Sequence, residues 1–327
     1  MTQLRVVTGA EVQQALAWRP LIDALREGHR APQPVMGDVL LEPGGADAGK
    51  RVLHRAVWIE GMGGGIKSVT IFPDNPAATP PRPAVQGQMM VFDRESGAVS
   101  AIVDGAAITG WKTAADSALG AEMLARADAE TLLMIGAGAM AEPLIAAHRT
   151  VRPSLSRVLC WNRTPERADA LAATLRNAGD SAADPQLREI SAVTDLAAAA
   201  READIISCAT MSATPVLHGA WVQPGTHVDL VGAFTPAMRE ADNELLSKAR
   251  LFVDSRVTAI HDIGELAQPI AAGVIGEGAI LSDHYERVQS SGAGRGSAED
   301  ITVFKNGGGA HLDLMTALHL LDRLAGS

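Results

Sequence analysis

The sequence predicts an α/β fold in which a doubly wound parallel sheet is inserted into an α+β domain. Three observations lead to this fold class. Between about residues 120 and 290, short apolar runs alternate with alanine-rich helical stretches, a pattern typical of βαβ units. The region before it contains strand-like segments separated by turns, which indicates antiparallel or mixed pairing. The region after it carries a strand-like run, a glycine turn and a helix, so we expect the C-terminal segment to rejoin the first domain.

The N-terminal region is predicted to contain one helix followed by strands. Apolar periodicity indicates a helix over Glu11–Arg26. Strands are predicted at Arg51–Ile59, Ile66–Phe72, Met89–Phe92 and Ala98–Val103. Glycine and proline concentrate in 31–49 and 61–87, where we expect turns.

The central region is predicted to alternate between strands and helices. The strands are expected at Thr131–Ile135, Arg157–Trp161, Ala203–Ala209, His227–Val231 and Arg250–Asp254. The helices are expected at Ala141–Val151, Pro165–Ala178, Thr194–Arg201 and Ala241–Lys248. The final segment reads ITVF, a glycine turn and a helix from about Leu312. We therefore predict two domains, one of residues 1–116 plus 301–327 and the other of residues 117–300.

Composition and charge argue against several classes of protein. The 327 residues carry 28 Lys and Arg against 38 Asp and Glu, a net charge of −10, which argues against a nucleic-acid or anionic-membrane partner. Two cysteines are too few for a disulfide framework or a multi-cysteine zinc site, and we predict no metal. No apolar run is long enough to span a membrane and no secretory leader is evident, so we expect a cytoplasmic protein.

The strongest motif follows the short apolar strand TLLMI. This strand runs into Gly136-x-Gly138-x-x-Ala141 and a helix follows, which is a form of the Rossmann dinucleotide fingerprint. Gly136 permits the tight turn, Gly138 lets the backbone approach a pyrophosphate, and Ala141 keeps the helix close to the strand. With Ala139 and Met140 at the helix start, these residues predict a dinucleotide site.

The end of the next strand favours NADPH as the cofactor. In NAD sites an acidic residue here accepts a hydrogen bond from the ribose 2′-hydroxyl. This chain instead has Asn162, Arg163 and Thr164, and the guanidinium of Arg163 suits a phosphate. Thr164 and Arg167 offer further donors. We expect NADH to be a less preferred cofactor.

Several segments taken together resemble the ornithine cyclodeaminase/μ-crystallin family, and they occur in the family's order. They are GIKSVTIFPDN (65–75), DGAAITGWKTAADSALGAEMLAR (104–126), WNRTPERA (161–168), PGTHVDLVGAFTPAMREAD (224–242) and ITVFKNGGGAHLDL (301–314). The resemblance implies a homodimer of two-domain subunits. In that fold, the N-terminal region and the C-terminal segment form the substrate-binding and dimerisation domain, and the Rossmann domain binds the dinucleotide.

The resemblance also implies roles for two lysines and a threonine. Lys67 falls on the family's lysine that binds the substrate carboxylate near the nicotinamide, so we expect it to be the catalytic residue. Lys112 stands where most members have arginine; it keeps the charge, loses the bidentate fork and is expected to be a second carboxylate contact. Thr113 resembles the family's contact to the cofactor phosphate.

Phe234 is an informative departure from the family pattern. Cyclodeaminases and the archaeal alanine dehydrogenase have an acidic group in this loop, but phenylalanine cannot accept a proton. A reductase of a preformed cyclic imine has less need of a base there, and the loop resembles those of Δ1-pyrroline-2-carboxylate and Δ1-piperideine-2-carboxylate reductases. Alternatively, Phe234 serves only in packing.

The remaining candidates are less specific. His54 and Arg55 lie on opposite faces of a predicted strand; if either lines the pocket, the substrate carries an extra polar or anionic group. Gln86 matches a glutamine near the substrate in the family, and His311 is a candidate proton donor or substrate contact. Thr210, with its loop over the cofactor, is assigned to the dinucleotide. Val231 is assigned to it as well.

These observations predict an NADPH-dependent oxidoreductase that reduces Δ1-pyrroline-2-carboxylate or Δ1-piperideine-2-carboxylate to the L-amino acid. One alternative is an ornithine cyclodeaminase, an amino-acid dehydrogenase or a reductase of acyclic imines. Another is a μ-crystallin-like protein that binds NADPH and a small ligand without useful turnover. The true substrate, its ring size and the proton donor stay open at this point.

Overall fold

The chain forms two compact units. The computed structural model describes residues 4–182, 187–290 and 294–326. Unit 1 comprises the chain up to Lys112 and from Gly309 onward, and unit 2 is Thr113–Gly308. The predicted α/β fold, with a parallel Rossmann sheet and a separate mixed sheet, is confirmed.

Unit 1 is built on a six-stranded sheet with the order β1-β6-β5-β4-β3-β2. Its strands are β1 (Arg5–Val7), β2 (Val35–Leu41), β3 (Arg51–Ile59), β4 (Gly63–Ile71), β5 (Val85–Phe92) and β6 (Val99–Asp104). β1 and β6 are parallel, whereas the pairs from β6 to β2 are antiparallel. The sequence prediction did not include β1 or β2.

The helices of unit 1 begin with a break that the sequence prediction missed. The expected single helix over Glu11–Arg26 is two helices, because Leu16 and Ala17 adopt extended backbone conformations. Thr8 starts the first of them through a capping box with Glu11. The helices are α1 (Gly9–Ala15), α2 (Trp18–Gly28), the first half of α3 (Gly105–Leu124) and the C-terminal α11 (Ala310–Ala325).

The two faces of the unit 1 sheet differ sharply. α11 packs on one face, against β3, β4 and β5, and α2 packs on α11. Alternate residues of the strands point to the other face. That face leaves large apolar side chains exposed: Val6, Val35, Val39, Leu41 and Trp58, the last 48% exposed.

Unit 2 is a parallel sheet of eight strands in the order β13-β12-β14-β11-β10-β7-β8-β9. The strands are β7 (Thr131–Ile135), β8 (Arg157–Trp161), β9 (Glu189–Ala192), β10 (Ile205–Cys208), β11 (His227–Leu230), β12 (Arg250–Val253), β13 (Ile280–Ser282) and β14 (Thr302–Lys305). The helices are α4 (Ala141–Val151), α5 (Pro165–Ala182), α6 (Leu196–Glu202), α7 (Asn243–Lys248), α8 (Arg256–Ala259), α9 (Gly264–Ala271) and α10 (His284–Gln289). The strand order reverses between β7 and β10, which is where this fold class binds its ligand.

The C-terminal strand lies in a different unit from the one the sequence suggested. Residues 301–304 were expected to rejoin the first domain. Instead, β14 pairs with β11 on one side and β12 on the other, inside the parallel sheet. The chain re-enters unit 1 only at Gly309, so the boundary expected at 301 lies several residues too early.

Candidate functional site

Gly136 ends β7 in a conformation that requires glycine. Its φ is +109°, and a Cβ there would lie 2.5 Å from the carbonyl oxygen of Ala209, after β10. The Gly136 amide donates to the carbonyl of Trp161 at the end of β8 (2.8 Å). The turn is therefore held at the carboxyl ends of these strands, at the point where the strand order reverses.

The start of α4 is open to an incoming anion. Gly138 and Ala139 are exposed, and a Cβ at Gly138 would meet no atom within 4 Å. In the described chain no side chain caps the helix at Met140. The first N–H groups of a helix lack acceptors within it and carry its positive dipole end. This arrangement fits the pyrophosphate of a dinucleotide.

Asn162 links the glycine turn to the end of β8. Its Oδ1 accepts from the amide of Ala137 (3.2 Å), and its Nδ2 donates to the carbonyl of Thr164 (3.0 Å). Arg163, Thr164 and Arg167 are exposed beside it. The neutral Asn162 and nearby cationic and hydroxyl donors thus stand where an NAD site has a carboxylate.

A buried carboxylate that the sequence analysis missed joins the loops after β10 and β11. Glu240 Oε1 accepts from the amide (2.7 Å) and hydroxyl (2.8 Å) of Thr210. Its Oε2 accepts from the amides of Gly232 (2.6 Å) and Ala233 (3.3 Å). Glu240 lies in the charged run MREAD, which resembles a solvent-exposed segment, so no local sequence signal points to its buried role.

Glu240 has its own support. Glu265 accepts from the backbone amides of Glu240 (2.7 Å) and Ala241 (3.0 Å). Lys305 on β14 donates to the carbonyl of Leu230 (2.9 Å). Burial raises the pKa of Glu240, and burial with the charge of Glu240 raises the pKa of Glu265 to about 7; Lys305 opposes both shifts.

The other predicted residues of unit 2 occupy varied environments. The Val231 amide donates to the carbonyl of Cys208 (2.8 Å). Val231 therefore lies at the carboxyl ends of the parallel strands, as Thr210 does. The carbonyl of Thr113 accepts from Asn306 Nδ2 (3.0 Å), which fixes the backbone of α3 there. Phe234 is 59% exposed in the loop after β11.

In unit 1, Lys67 lies on the sheet face that α11 covers. Its antiparallel partners in the register are Arg55 on β3 and Met89 on β5, so the three side chains share that face. Lys67 is only 5% exposed. Arg55 Nε donates to Asp38 on β2 (2.8 Å).

Two partners orient the ammonium group of Lys67. Nζ donates to Asp313 Oδ1 on α11 (2.8 Å) and to Thr109 Oγ1 on α3 (3.1 Å). The Thr109 hydroxyl donates its own proton to the carbonyl of Gly105 (2.6 Å), so its oxygen must accept from Lys67. Within the described residues these contacts use two of the three N–H donors of the ammonium, which leaves one for a ligand.

Asp313 is fully buried and stays ionised. Burial raises the pKa of this carboxyl, but the charges of Lys67, Lys112 and Arg55 and the hydrogen bond from Lys67 outweigh burial, so its pKa lies below the usual value. Lys112, at the end of unit 1, is also buried. Three cationic side chains therefore act on the single carboxylate of Asp313. This excess of positive charge suits the carboxylate of a ligand.

Two other candidates of unit 1 lie on the sheet face opposite Lys67, and a third, His311, lies on α11. His54 lies on the opposite sheet face, hydrogen-bonded to Ser68 (2.9 Å). Gln86 is exposed near the start of β5 on that same opposite face. His311 is buried in the first turn of α11, with its ring centroid 5.8 Å from that of His29. Of the pair His54 and Arg55, the structure places Arg55 alone on the face of Lys67.

Two negative findings apply to the described ranges. No group of three or more His, Cys, Asp or Glu residues in them could hold a metal ion. Two histidines lie close to single carboxylates, with His261 near Glu277 and His284 Nε2 3.2 Å from Asp116 Oδ1. No helix there is both long and apolar enough to span a bilayer.

Comparisons with known proteins agree with the resemblance seen in the motifs. Residues 56–327 match the model of the ornithine cyclodeaminase/mu-crystallin family. A Delta(1)-pyrroline-2-carboxylate reductase of Paracoccus denitrificans is 48% identical over 311 residues, covering 95% of this chain and 94% of that protein. The solved structure of Thermococcus litoralis Delta(1)-pyrroline-2-carboxylate reductase with NADH and L-proline superposes with a TM-score of 0.88 at 25% identity, covering 98% of each chain.

A second solved structure, an archaeal alanine dehydrogenase dimer with bound NAD, superposes with a TM-score of 0.87 at 26% identity. It covers 99% of this chain and 96% of that one. The family match spans well over half of the chain, and the Paracoccus relative spans nearly all of it. The chain belongs to the ornithine cyclodeaminase/mu-crystallin family.

Proposed function

We propose that this chain reduces a cyclic α-imino acid, Δ1-pyrroline-2-carboxylate or Δ1-piperideine-2-carboxylate, to the L-amino acid with NADPH as the hydride donor. The observation that carries the proposal is the buried Lys67, whose ammonium is oriented by Asp313 and Thr109 with one N–H left for a carboxylate. The relative that is 48% identical is named for reduction of the first of these substrates. The chain is an oxidoreductase that uses a nicotinamide cofactor.

The residues of unit 1 bind and orient the substrate in this proposal. Lys67 donates to the substrate carboxylate, and Lys112 and Arg55 add positive charge on the same carboxylate. These contacts hold the ring in one orientation, which is the main contribution a protein makes to such a step. When bound, the reduced nicotinamide supplies a hydride at C4, and the imine carbon receives it while the nitrogen gains a proton.

The residues of unit 2 hold the dinucleotide. Gly136, Gly138 and the open start of α4 fit the pyrophosphate. Asn162 and Arg163 support a preference for NADPH, because the three residues directly after β8 include no acidic side chain to accept from a ribose 2′-hydroxyl. The exposed guanidinium of Arg163 is suited to a 2′-phosphate. Thr113, Thr210 and Val231 are proposed to line the rest of this site.

The loop residue Phe234 favours imine reduction over amine oxidation. Oxidation of an amino acid needs a group that accepts a proton, and a phenyl ring cannot. His311 stays a candidate proton donor in unit 1. The position of Arg55 favours a second substrate class. Arg55 lies on the same sheet face as Lys67, and its guanidinium suits an acyclic imine with an additional carboxylate.

Oxidation of the reduced nicotinamide, followed by absorbance, tests the proposal directly. The purified chain is assayed with each cyclic imine, each in turn with NADPH and NADH, and L-ornithine with NADP⁺ or NAD⁺ serves as the cyclodeaminase comparison. Turnover of a cyclic imine, faster with NADPH, is expected. Ammonia release from ornithine without imine reduction would refute the proposal, and tight NADPH binding without any turnover would favour a binding protein.

We also propose that the chain acts as a homodimer. The face of the unit 1 sheet opposite α11 exposes the large apolar side chains of Val6, Val35, Val39 and Trp58, and an exposed apolar face of this kind is typical of an interaction surface. A second copy is the occupant we propose, since the neighbouring alanine dehydrogenase is described as a dimer. The buried thiols of Cys160 and Cys208 suit the cytoplasm, where we expect the protein to act.

A further inference from the structure

We infer that Glu240 is a positioning residue that fixes the two loops against which the nicotinamide half of the dinucleotide lies. The inference rests on the proposed use of a nicotinamide cofactor. It concerns a side chain that does not itself touch the cofactor. Its role is to set the geometry of the residues around Thr210 and Val231.

The hydrogen bonds of Glu240 are divided between the loops. One carboxylate oxygen serves the loop after β10, through two donors on Thr210 (2.7 and 2.8 Å). The other oxygen serves the loop after β11, through the amides of Gly232 (2.6 Å) and Ala233 (3.3 Å). The planar carboxylate of Glu240 therefore holds the two loops at a fixed distance from each other.

The two loops approach each other so closely that the spacing matters. A Cβ at Gly232 would lie 1.9 Å from the carbonyl oxygen of Thr210, so only glycine fits there. Neither loop can shift toward the other, and Glu240 prevents them from separating. Because Glu240 is completely buried, its donors cannot exchange it for water without opening the structure.

A carboxylate is required by this pattern of donors. The three backbone amides, the Thr210 hydroxyl and the Cys208 thiol that point at Glu240 all donate, and a carboxylate accepts at both oxygens. Glutamine has one acceptor oxygen and one amide nitrogen that donates, so it can serve only one loop at a time. Backbone bonds from Glu240 and Ala241 to Glu265 hold the residue itself in place.

The strand order assigns these loops to the nicotinamide half. A doubly wound dinucleotide fold consists of two mononucleotide-binding halves on either side of the point where the order reverses. β7, β8 and β9 form the half that carries the fingerprint and Arg163, which is the adenosine side. β10 and β11 belong to the other half, so their loops face the nicotinamide nucleotide.

The test compares two ligands on Glu240→Gln and on the control Glu244→Gln, which alters an exposed glutamate on α7. The ligands are NADPH and 2′-phospho-ADP-ribose, which lacks only the nicotinamide ring. In fluorescence or calorimetric titrations we expect Glu240→Gln to raise the Kd of NADPH about tenfold, the effect of losing hydrogen bonds to a charged group. The Kd of 2′-phospho-ADP-ribose should stay within about twofold, and the control should change neither.

Equal increases for both ligands would overturn the inference, since they would mean that Glu240 supports the domain as a whole. An unchanged Kd for NADPH would overturn it too. If Glu240→Gln does not fold, Thr210→Val removes one donor of the same clamp and is judged by the same comparison. The titrations contain no imine, so their outcome does not depend on the substrate. A chain that binds NADPH but reduces neither imino acid would refute the proposed substrate and leave this inference standing. A chain that binds no dinucleotide would refute both.

Discussion

Replacing Lys67 with methionine removes one half of a buried ion pair, and the protein should lose stability in a way that depends on pH. Lys67 is 5% exposed and Asp313 is fully buried, with 2.8 Å between Nζ and Oδ1. Methionine keeps most of the apolar stem and removes the charge. Asp313 is then left without its closest cation in an interior that disfavours a charged carboxylate.

Removing one partner of a buried pair costs about 3–5 kcal/mol of stability, a large part of the roughly 5–15 kcal/mol of a typical protein. The loss of stability in Lys67→Met should depend on pH, and the pKa of Asp313 determines whether it grows or shrinks as the pH rises. In the wild type its pKa is depressed, so its contribution is lost only as the pH falls through that low value. In Lys67→Met the charge of Lys67 no longer opposes the effect of burial, so the pKa of Asp313 rises. The variant therefore loses stability as the pH increases toward neutrality.

Urea denaturation at about pH 5 and about pH 8 measures both effects, and Lys50→Met is the matched control. Lys50 forms an exposed pair with Asp47, so its replacement should cost about 0–1 kcal/mol at either pH. The double variant Lys67→Met/Asp313→Asn should recover much of the lost stability. A loss below about 1 kcal/mol for Lys67→Met, equal at both pH values, would refute the buried pair.

The same variant tests the role of Lys67 in substrate binding. Loss of a charge-assisted contact to the carboxylate should raise the KM for the imino acid about 10- to 100-fold. The Kd for NADPH should not change, because the residues proposed to bind the dinucleotide belong to unit 2. An unchanged KM would remove Lys67 from the proposed mechanism.

Three other predictions use different parts of the chain. Arg163→Ser should reduce the preference for NADPH over NADH by about tenfold or more, measured as the ratio of Kd values, and an unchanged ratio would mean that Arg163 does not contact the 2′-phosphate. Burial and the charge of Asp116 raise the pKa of Asp254 to about 7, so the stability from its protonated form is present below its ordinary value of 3.8 and is lost as the pH rises through about 7. Asp254→Asn should therefore gain stability relative to the wild type between about pH 5 and pH 8 in urea denaturation, whereas a constant difference would contradict the shift. Trp58→Glu, on the exposed apolar face, should convert a dimer of 34.1 kDa chains into monomers in analytical ultracentrifugation, and a persistent dimer would exclude this face.

Elements with a strong local pattern were predictable from the sequence. The bounds of β3, β7, β8 and α4 agree with those predicted, because alternation, helical periodicity and turn residues are all local properties. β2 was missed, since Val35–Leu41 lies in a stretch rich in glycine and proline. The break between α1 and α2 was missed because it has neither a glycine nor a proline at Leu16 and Ala17.

The position of β14 could not be predicted from its own residues. An apolar run such as ITVF is consistent with a strand in either unit. Its place depends on pairing with β11 and β12, which come much earlier in the chain. The notion that the chain leaves the central domain at 301 rested on order along the chain, and order does not fix which strands become neighbours.

The same reasoning explains which parts of the site were visible in the sequence. The glycine motif and the residues after β8 are each contiguous in the chain, so Gly136, Gly138 and Asn162 can be proposed directly from the sequence. The partner of Lys67 is 246 residues away on α11, and the two loops held by Glu240 are joined by a side chain with no local motif. Resemblance to a family supplied Lys67, and only the structure supplied what orients it.

Arg55 and His54 show most clearly how one residue of register decides which face of the sheet a side chain occupies. The strand RVLHRAVWI has polar and apolar residues on both of its faces, so alternation separates the two side chains without saying which one faces the interior. Pairing with β4 decides it, because Arg55 is opposite Lys67 and His54 is opposite Ser68. Arg55 thereby joins the charges that act on Asp313, whereas His54 joins the face proposed to meet a second copy. A change in substrate is therefore expected from substitutions at Arg55, and a change in assembly from substitutions at its immediate neighbour.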